Sequence, residues 1–401
     1  MLLTLIYLVI FYSLLQSTVS ANRKILVVFV LVFYSLFTLV DLYYIEQFLH
    51  ASFHPSDPTN YYVVSLKVSF KEIFELDSSN TFYYIINWLY NHIYPDSTFI
   101  SLLVKLNNVF VILLAYLLIT RKLPNMGVLD CLILFNPYLL MTIIRNVRDP
   151  YIILFVSVIL IALGAFPGST IERKYVILCI ILLALTRFVL LLPLFLIWLS
   201  KFGRKSIPIY VVIMFFCISY FDVIWMHIIH QTVSALSAIG EDITELKPLI
   251  DGDFSFSILI HLLGRLFIGL ISFLFTPHPV NYWCSWISEM QEYGSYNIYT
   301  GIDNFLIWIG SIYAYLLVLP ISLNSILRLR KENSVIYAFI ILYIIIYTLA
   351  YIGVTDIRNR HFAFFFILIG LQFLKNNSFQ AVYKLRYVFY TLILFIGIML
   401  I

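Results

Sequence analysis

The stretch RKYVILCIILLALTRFVLLLPLFLIWLSK, residues Arg173–Lys201, decides the fold. Its apolar interior is longer than the roughly 20 residues that cross a bilayer. Backbone in lipid must satisfy its own hydrogen bonds, so the run is helical. Two features spoil a simple span. Arg173–Lys174 stand before it and Lys201 with Arg204–Lys205 after it, and such basic short loops stay in the cytoplasm. Both ends therefore want the same side. Arg187 also sits mid-run beside Thr186, where a cation costs about 2.5–3.5 kcal/mol. The economical solution is a hairpin that enters and leaves on one side, with Thr186–Arg187 at its tip. Such broken helix is tolerated where it lines protein or water.

The rest of the chain fits the same solvent. Of 401 residues, 62% are hydrophobic and 11% charged, against about 25% charged in a soluble protein. No soluble fold hides that much apolar surface. The 18% aromatic content suits two interfacial belts. A net charge of +4 gives no sign of a nucleic-acid partner. Cys131, Cys179, Cys217 and Cys284 lack metal-ligand spacing and read as small buried hydrophobes.

Further apolar runs lie near Leu2–Ser20, Ile25–Ile45, Phe99–Ile119, Gly127–Ile144, Tyr151–Phe166, Ile207–Ile224, Ser257–Phe275, Phe305–Leu323, Val335–Val354, Phe362–Leu374 and Tyr387–Ile401. The fold class is thus all-α: a polytopic integral membrane protein of about a dozen hydrophobic helices, some re-entrant or broken. One transmembrane domain is expected over residues 1–401, with outer loops near 46–98, 225–256 and 276–304. The first run lacks a basic leader, so it reads as a retained span. Six basic clusters set the orientation: Arg23–Lys24, Arg121–Lys122, Arg173–Lys174, Lys201 with Arg204–Lys205, Arg328 with Arg330–Lys331, and Lys375 with Lys384 and Arg386. With these inside, the first run begins outside. Parity then requires one of Ile207–Ile224 and Ser257–Phe275 to be re-entrant or to lie along the membrane.

The remaining arginines break the rule that positive charge avoids the outer side. Arg145, Arg148, Arg187, Arg265, Arg358 and Arg360 each lie in or against an apolar run. A terminal arginine alone can snorkel to the interface. Asp149 stands next to Arg148 and Asp356 near Arg358, so each has a neighbour to neutralise it. Arg145 and Arg148, three apart, would share one face of a helical turn. As a group they predict an anionic ligand with a lipid tail, because guanidinium grips phosphate in a bidentate fork. His278 and His361 adjoin these arginines and are candidate pocket residues. Asp57, in HPSDPTNYY (His54–Tyr62), is the acidic candidate. It reads as a general base for an acceptor hydroxyl, a holder of a divalent cation, or a turn residue before Pro58. The aromatic stretch Thr81–Tyr94 reads as a helix in the outer interface.

These residues carry a resemblance. Asp57 with Tyr61–Tyr62, the segment Thr81–Asn87, Asn136–Pro137 before Ile144–Asp149, Arg265 before Thr276–Pro279, and Arg358–Arg360 before a late run look like the bacterial O-antigen and exopolysaccharide polymerases of the Wzy-like and EpsG-like kind. More distantly they resemble multispanning GT-C glycosyltransferases. Arg145–Asn146 stands where Arg-Gln is usual, and Thr186–Arg187 where His-Ser is. The resemblance implies polymerisation of undecaprenyl-pyrophosphate-linked oligosaccharides at the outer face of a bacterial inner membrane. Asp57, Arg187 and Arg265 would be catalytic. Arg145, Arg148, His278, Arg358, Arg360 and His361 would bind substrate. No cofactor is expected, and a chain-length regulator protein is an expected partner. Two competing readings stay open: a GT-C enzyme using a polyprenyl-phosphate sugar, and a non-enzymic transporter or flippase of the same lipids. The lack of duplicated halves weighs against the last.

Overall fold

Caps start the helices where the sequence supplies them. Ser20 accepts the Arg23 N–H, Asp96 those of Thr98 and Phe99, and Asn136 that of Tyr138, with Pro137 at the first helical position. The structure is a computed structural model that describes residues 2–49, 57–76, 80–93, 96–145, 147–203, 208–209, 298–351, 357–375 and 378–399. The run Ser257–Phe275, and with it Arg265 and His278, lies outside the described residues, as do the expected loop 225–256 and most of 276–304.

The described residues form helices and connections without a strand. In order the helices are α1 Leu2–Gln16, α2 Ala21–Tyr44, α3 Asp57–Lys67, α4 Thr81–Ile93, α5 Ser97–Thr120, α6 Val128–Leu134, α7 Pro137–Ile144, α8 Asp149–Ala162, α9 Arg173–Arg187, α10 Leu191–Ser200, α11 Ile298–Tyr313, α12 Leu319–Glu332, α13 Ser334–Tyr351, α14 Ile357–Leu371 and α15 Leu385–Met399. Four helical stretches are long and apolar enough to cross a membrane: Ala21–Gln47, Ser97–Thr120, Arg173–Ser200 and Phe305–Glu332. Three of the apolar runs are cut short by local chemistry. Ser17 and Thr18 turn their hydroxyls onto the Leu14 carbonyl and end α1. Asn136–Pro137 splits Gly127–Ile144 into α6 and α7. Gly164, at φ 73°, ends α8 in the left-handed region.

The expected outer loop 46–98 is largely helical. Residues Ile45–Leu49, Glu46 among them, extend α2 as a π turn. Between α3 and α4, Ser69 and Glu72 cap each other's N–H groups. Accepting the Ser69 N–H holds the Glu72 carboxyl below its ordinary range.

Helix α5 is buried on nearly every face and forms the centre, with α1, α2 and α8 against it. A helix apolar all round belongs in such a position. In lipid, close packing rather than water exclusion holds helices together. Gly310 of α11 meets the ring of buried Tyr138, where an added Cβ would sit 2.9 Å from Cζ. We expect Gly310→Ala to cost about 1–3 kcal/mol by overpacking and to lower the thermal midpoint in detergent. Gly127→Ala, with nothing within 4 Å of its Cβ position, should leave it unchanged.

The described members of the six basic clusters lie at one end of the bundle. Val19 N–H bonds the Arg121 carbonyl, and Ser169 Oγ the Ile119 carbonyl. Lys201 Nζ donates to the Leu163 carbonyl, and Asn333 Nδ2 to that of Ala165. Lys375 N–H reaches Glu332, and Asn324 Nδ2 reaches the Val382 carbonyl. These bonds tie loops scattered along the chain into one basic face.

The decisive run folds back as the charges require. A straight Arg173–Ser200 helix would be about 42 Å long. Instead α9 stops at Arg187, which takes an extended backbone (φ −161°, ψ 76°). A 3₁₀ turn, Phe188–Leu190, follows, and α10 returns. Pro193 lacks the N–H that a continuous helix would bond to Val189, which favours the break there. Lys201 then ends beside Leu163, just past α8, while Arg187 lies beside Asp149 at the start of α8. The tip and the far end of the hairpin therefore stand at opposite ends of α8, whose 14 residues rise about 21 Å.

Candidate functional site

At the end opposite the basic face, the chain turns between α7 and α8 through Arg145–Arg148. Pro150 follows Asp149, and the new helix starts there rather than continuing α7. Arg145 caps the end of α7 and Arg148 precedes α8, so the two do not share a helical face as their spacing suggested. The turn is pinned from below, where Asn108 Nδ2 of α5 donates to the Val147 carbonyl at 3.4 Å.

Asn80 fastens the turn to the outer helices. Its side-chain oxygen accepts from Arg148 Nη1 and, at 3.2 Å, from the Tyr61 hydroxyl. Its carbonyl accepts the Tyr83 and Tyr84 N–H groups that open α4. One residue thus joins α3, α4 and the arginine turn.

The hairpin tip arrives from the other side. Arg187 Nη1 lies 3.7 Å from Asp149 Oδ1, with side chains 13% and 7% exposed. The Arg187 guanidinium also stands 5.4 Å from the Tyr347 ring centroid of α13, within cation–π reach. Asp149 was read as the counter-charge of its neighbour Arg148; it pairs instead with Arg187. Three-dimensional proximity overrides sequence adjacency here. Asp149 also sits in the first turn of α8, where the helix dipole favours a carboxylate. At this turn and tip, the described charged residues are Arg145, Arg148, Asp149 and Arg187.

Beneath them lies a wall of tyrosines. The Tyr61 ring stands 4.9 Å from Tyr83 and 5.4 Å from Tyr84, and Tyr83 stands 6.0 Å from Tyr151. Tyr61, Tyr83 and Tyr151 are buried, so these rings pack edge to face in the core beneath the turn.

Compared with family models, characterised proteins and solved structures, the chain finds no match. Of the expected residues, Arg187 is brought to Asp149, while Arg148 and half-buried Arg145 lie on the turn that precedes Asp149, with Arg148 bonded to Asn80. Asp57 is the first residue of α3, one turn before Tyr61; only its backbone is described. Arg358, Arg360 and His361 form the first turns of α14, again in backbone only. That helix start lies at the same end, because the neighbouring Phe362 ring stands 4.9 Å from Tyr343, one turn from Tyr347.

Two buried cations hold helices together instead. Lys105 forms a 2.5 Å ion pair with Asp41, both fully buried, between α5 and α2. Arg23, grouped above with the loop charges, is also fully buried. It contacts Asp130 at 3.0 Å and Tyr116, and donates to the carbonyls of Thr120, Leu123 and Asn125. Sequence reading missed Asn80, Tyr347 and this fastener. For Asn80 a signal exists: Asn immediately before a helical stretch is a common N-cap. Tyr347 carries none.

Proposed function

We propose that this chain is a membrane glycosyltransferase that polymerises lipid-linked oligosaccharide repeat units at the face opposite its basic end. By the positive-inside rule that face is the outer one, in a multi-pass bacterial inner-membrane protein of GT-C-like, many-span architecture. The observation that carries the reading is that Arg187 of the hairpin tip meets Asp149 at that face, on the turn whose Arg148 is fastened to Asn80. Partly buried guanidiniums at the end of an apolar bundle suit a phosphorylated lipid.

The proposed step is a displacement at the anomeric carbon. The acceptor hydroxyl oxygen of one unit forms the new C–O bond. The bond from that carbon to the undecaprenyl pyrophosphate oxygen breaks, and the pyrophosphate leaves with the electron pair. Arg148 and Arg187 stabilise the charge that builds on it. Asp57, one turn before Tyr61 on α3, takes the hydroxyl proton. Asp149 positions Arg187. Arg145, Arg265, Arg358, Arg360, His278 and His361 complete the phosphate-binding set in this reading, and a chain-length regulator protein would act on the growing product.

The test is reconstitution of the protein in proteoliposomes with purified donors. We expect a ladder of glycan lengths from an undecaprenyl-pyrophosphate-linked repeat unit and none from a polyprenyl-monophosphate sugar. Single additions from the monophosphate alone would replace this reading with the one-sugar transferase. Passage of lipid without glycan growth would replace it with a transporter.

A further inference from the structure

The folded-back hairpin leaves a gap that the proposed reaction does not use. It is a cavity of about 580 Å³, within the usual size of a ligand site. Helix α9 contributes Arg173, Val176, Ile177 and Ile180, spaced i, i+3, i+4 and i+7. Helix α10 contributes Leu191, Leu194, Phe195 and Trp198 at the same spacing. Each arm therefore turns one complete apolar stripe toward the gap, and the last turn of α8 closes it. Facing stripes normally pack together. Here they are held apart, so their side chains lack partner atoms, and an apolar void does not hold water.

The charge is one-sided. Arg173 is the single charged residue of the lining; it is exposed and makes no ion pair or hydrogen bond among the described residues. It stands at the basic end of the bundle, where Lys201 is spent on the Leu163 carbonyl and Lys174 on Glu172 at 2.7 Å. We infer that the gap between the hairpin arms holds the acyl chain of an anionic phospholipid of the basic-side leaflet, with its headgroup phosphate on Arg173. A basic mouth above an apolar slot between membrane helices has the complementarity for such a lipid. The occupant acts as a wedge that keeps α10 apart from α9. This inference stands independently of the proposed reaction.

Trp198 lines the slot and reports on it. The full-length protein is reconstituted into phosphatidylcholine vesicles containing a minor fraction of brominated-tail phosphatidylglycerol, or the same fraction of brominated-tail phosphatidylcholine. The quenching due to Trp198 is the difference between this protein and Trp198→Phe. We expect about fivefold stronger apparent binding of the anionic lipid, the effect of about one cation at a membrane surface. Arg173→Gln, a change at an exposed position that should leave the fold intact, should bring the two lipids to parity. Equal quenching by both lipids in the unaltered protein would reduce the slot to ordinary lipid contact and overturn the inference. So would a preference that survives Arg173→Gln. Absence of quenching by either lipid would mean that protein covers the slot, and would overturn it as well.

Discussion

Arg187→Ala should leave the protein in the membrane and abolish long glycan. The side chain is 13% exposed and its counter-charge Asp149 7% exposed, so the change uncovers a carboxylate in a poorly hydrated place. Two features keep that cost tolerable: Arg148 is its chain neighbour, and the α8 N-terminus favours negative charge. The leaving pyrophosphate loses one of the two donors proposed to stabilise its developing charge. Removing one preorganised donor from developing charge costs about 10²–10³ in rate. Because a polymer needs many successive additions, a loss of that size removes long products. Arg187→Lys should recover part of the activity, since charge is kept and the bidentate fork is lost. Membrane fractionation and glycan-length gels check both. Loss of the protein from the membrane, or an unchanged ladder, would assign Arg187 a structural role.

Arg23→Met should fail in the opposite manner, by losing the fold. Arg23 and Asp130 have side chains 1% and 3% exposed. Removing one partner of a buried pair costs about 3–5 kcal/mol. The carbonyls of Thr120, Leu123 and Asn125 would also lose their donor, at about 1–3 kcal/mol for each that water cannot reach. Whole-protein stability is about 5–15 kcal/mol, so the folded population collapses. Adding Asp130→Leu should restore part of it, because replacing both charges by apolar groups is far milder than orphaning one. Thermal unfolding in detergent gives the answer. A midpoint for Arg23→Met within a few degrees of the parent would refute the fastener.

The sidedness of the bundle was legible because it depends on charge alone. Arg121–Lys122 and Arg328–Lys331 need no tertiary knowledge to be assigned to one shared end, and the structure gathers the described members of the six clusters there. The hairpin followed from the same rule, since Arg173 and Lys201 could not be on opposite sides. Helix length was less legible. Hydropathy sees Leu2–Ser20 as one run, whereas the Ser17 and Thr18 hydroxyls end the helix early. Pairing was least legible. Nothing in the neighbourhood of Arg187 names Asp149 or Tyr347. Arg23 satisfies backbone carbonyls, which every residue has, so its burial leaves no mark in the sequence.

The Arg23 fastener also sets an order of events during synthesis. Asp130 lies 107 residues after Arg23, and ribosomes add about 5–20 residues per second. For on the order of ten seconds the nascent N-terminal hairpin waits unlatched with its cation at the aqueous boundary. During that interval the charge serves as an orienting signal. Only when the turn at Leu123–Asp130 emerges is the signal withdrawn into the protein and converted into a clasp.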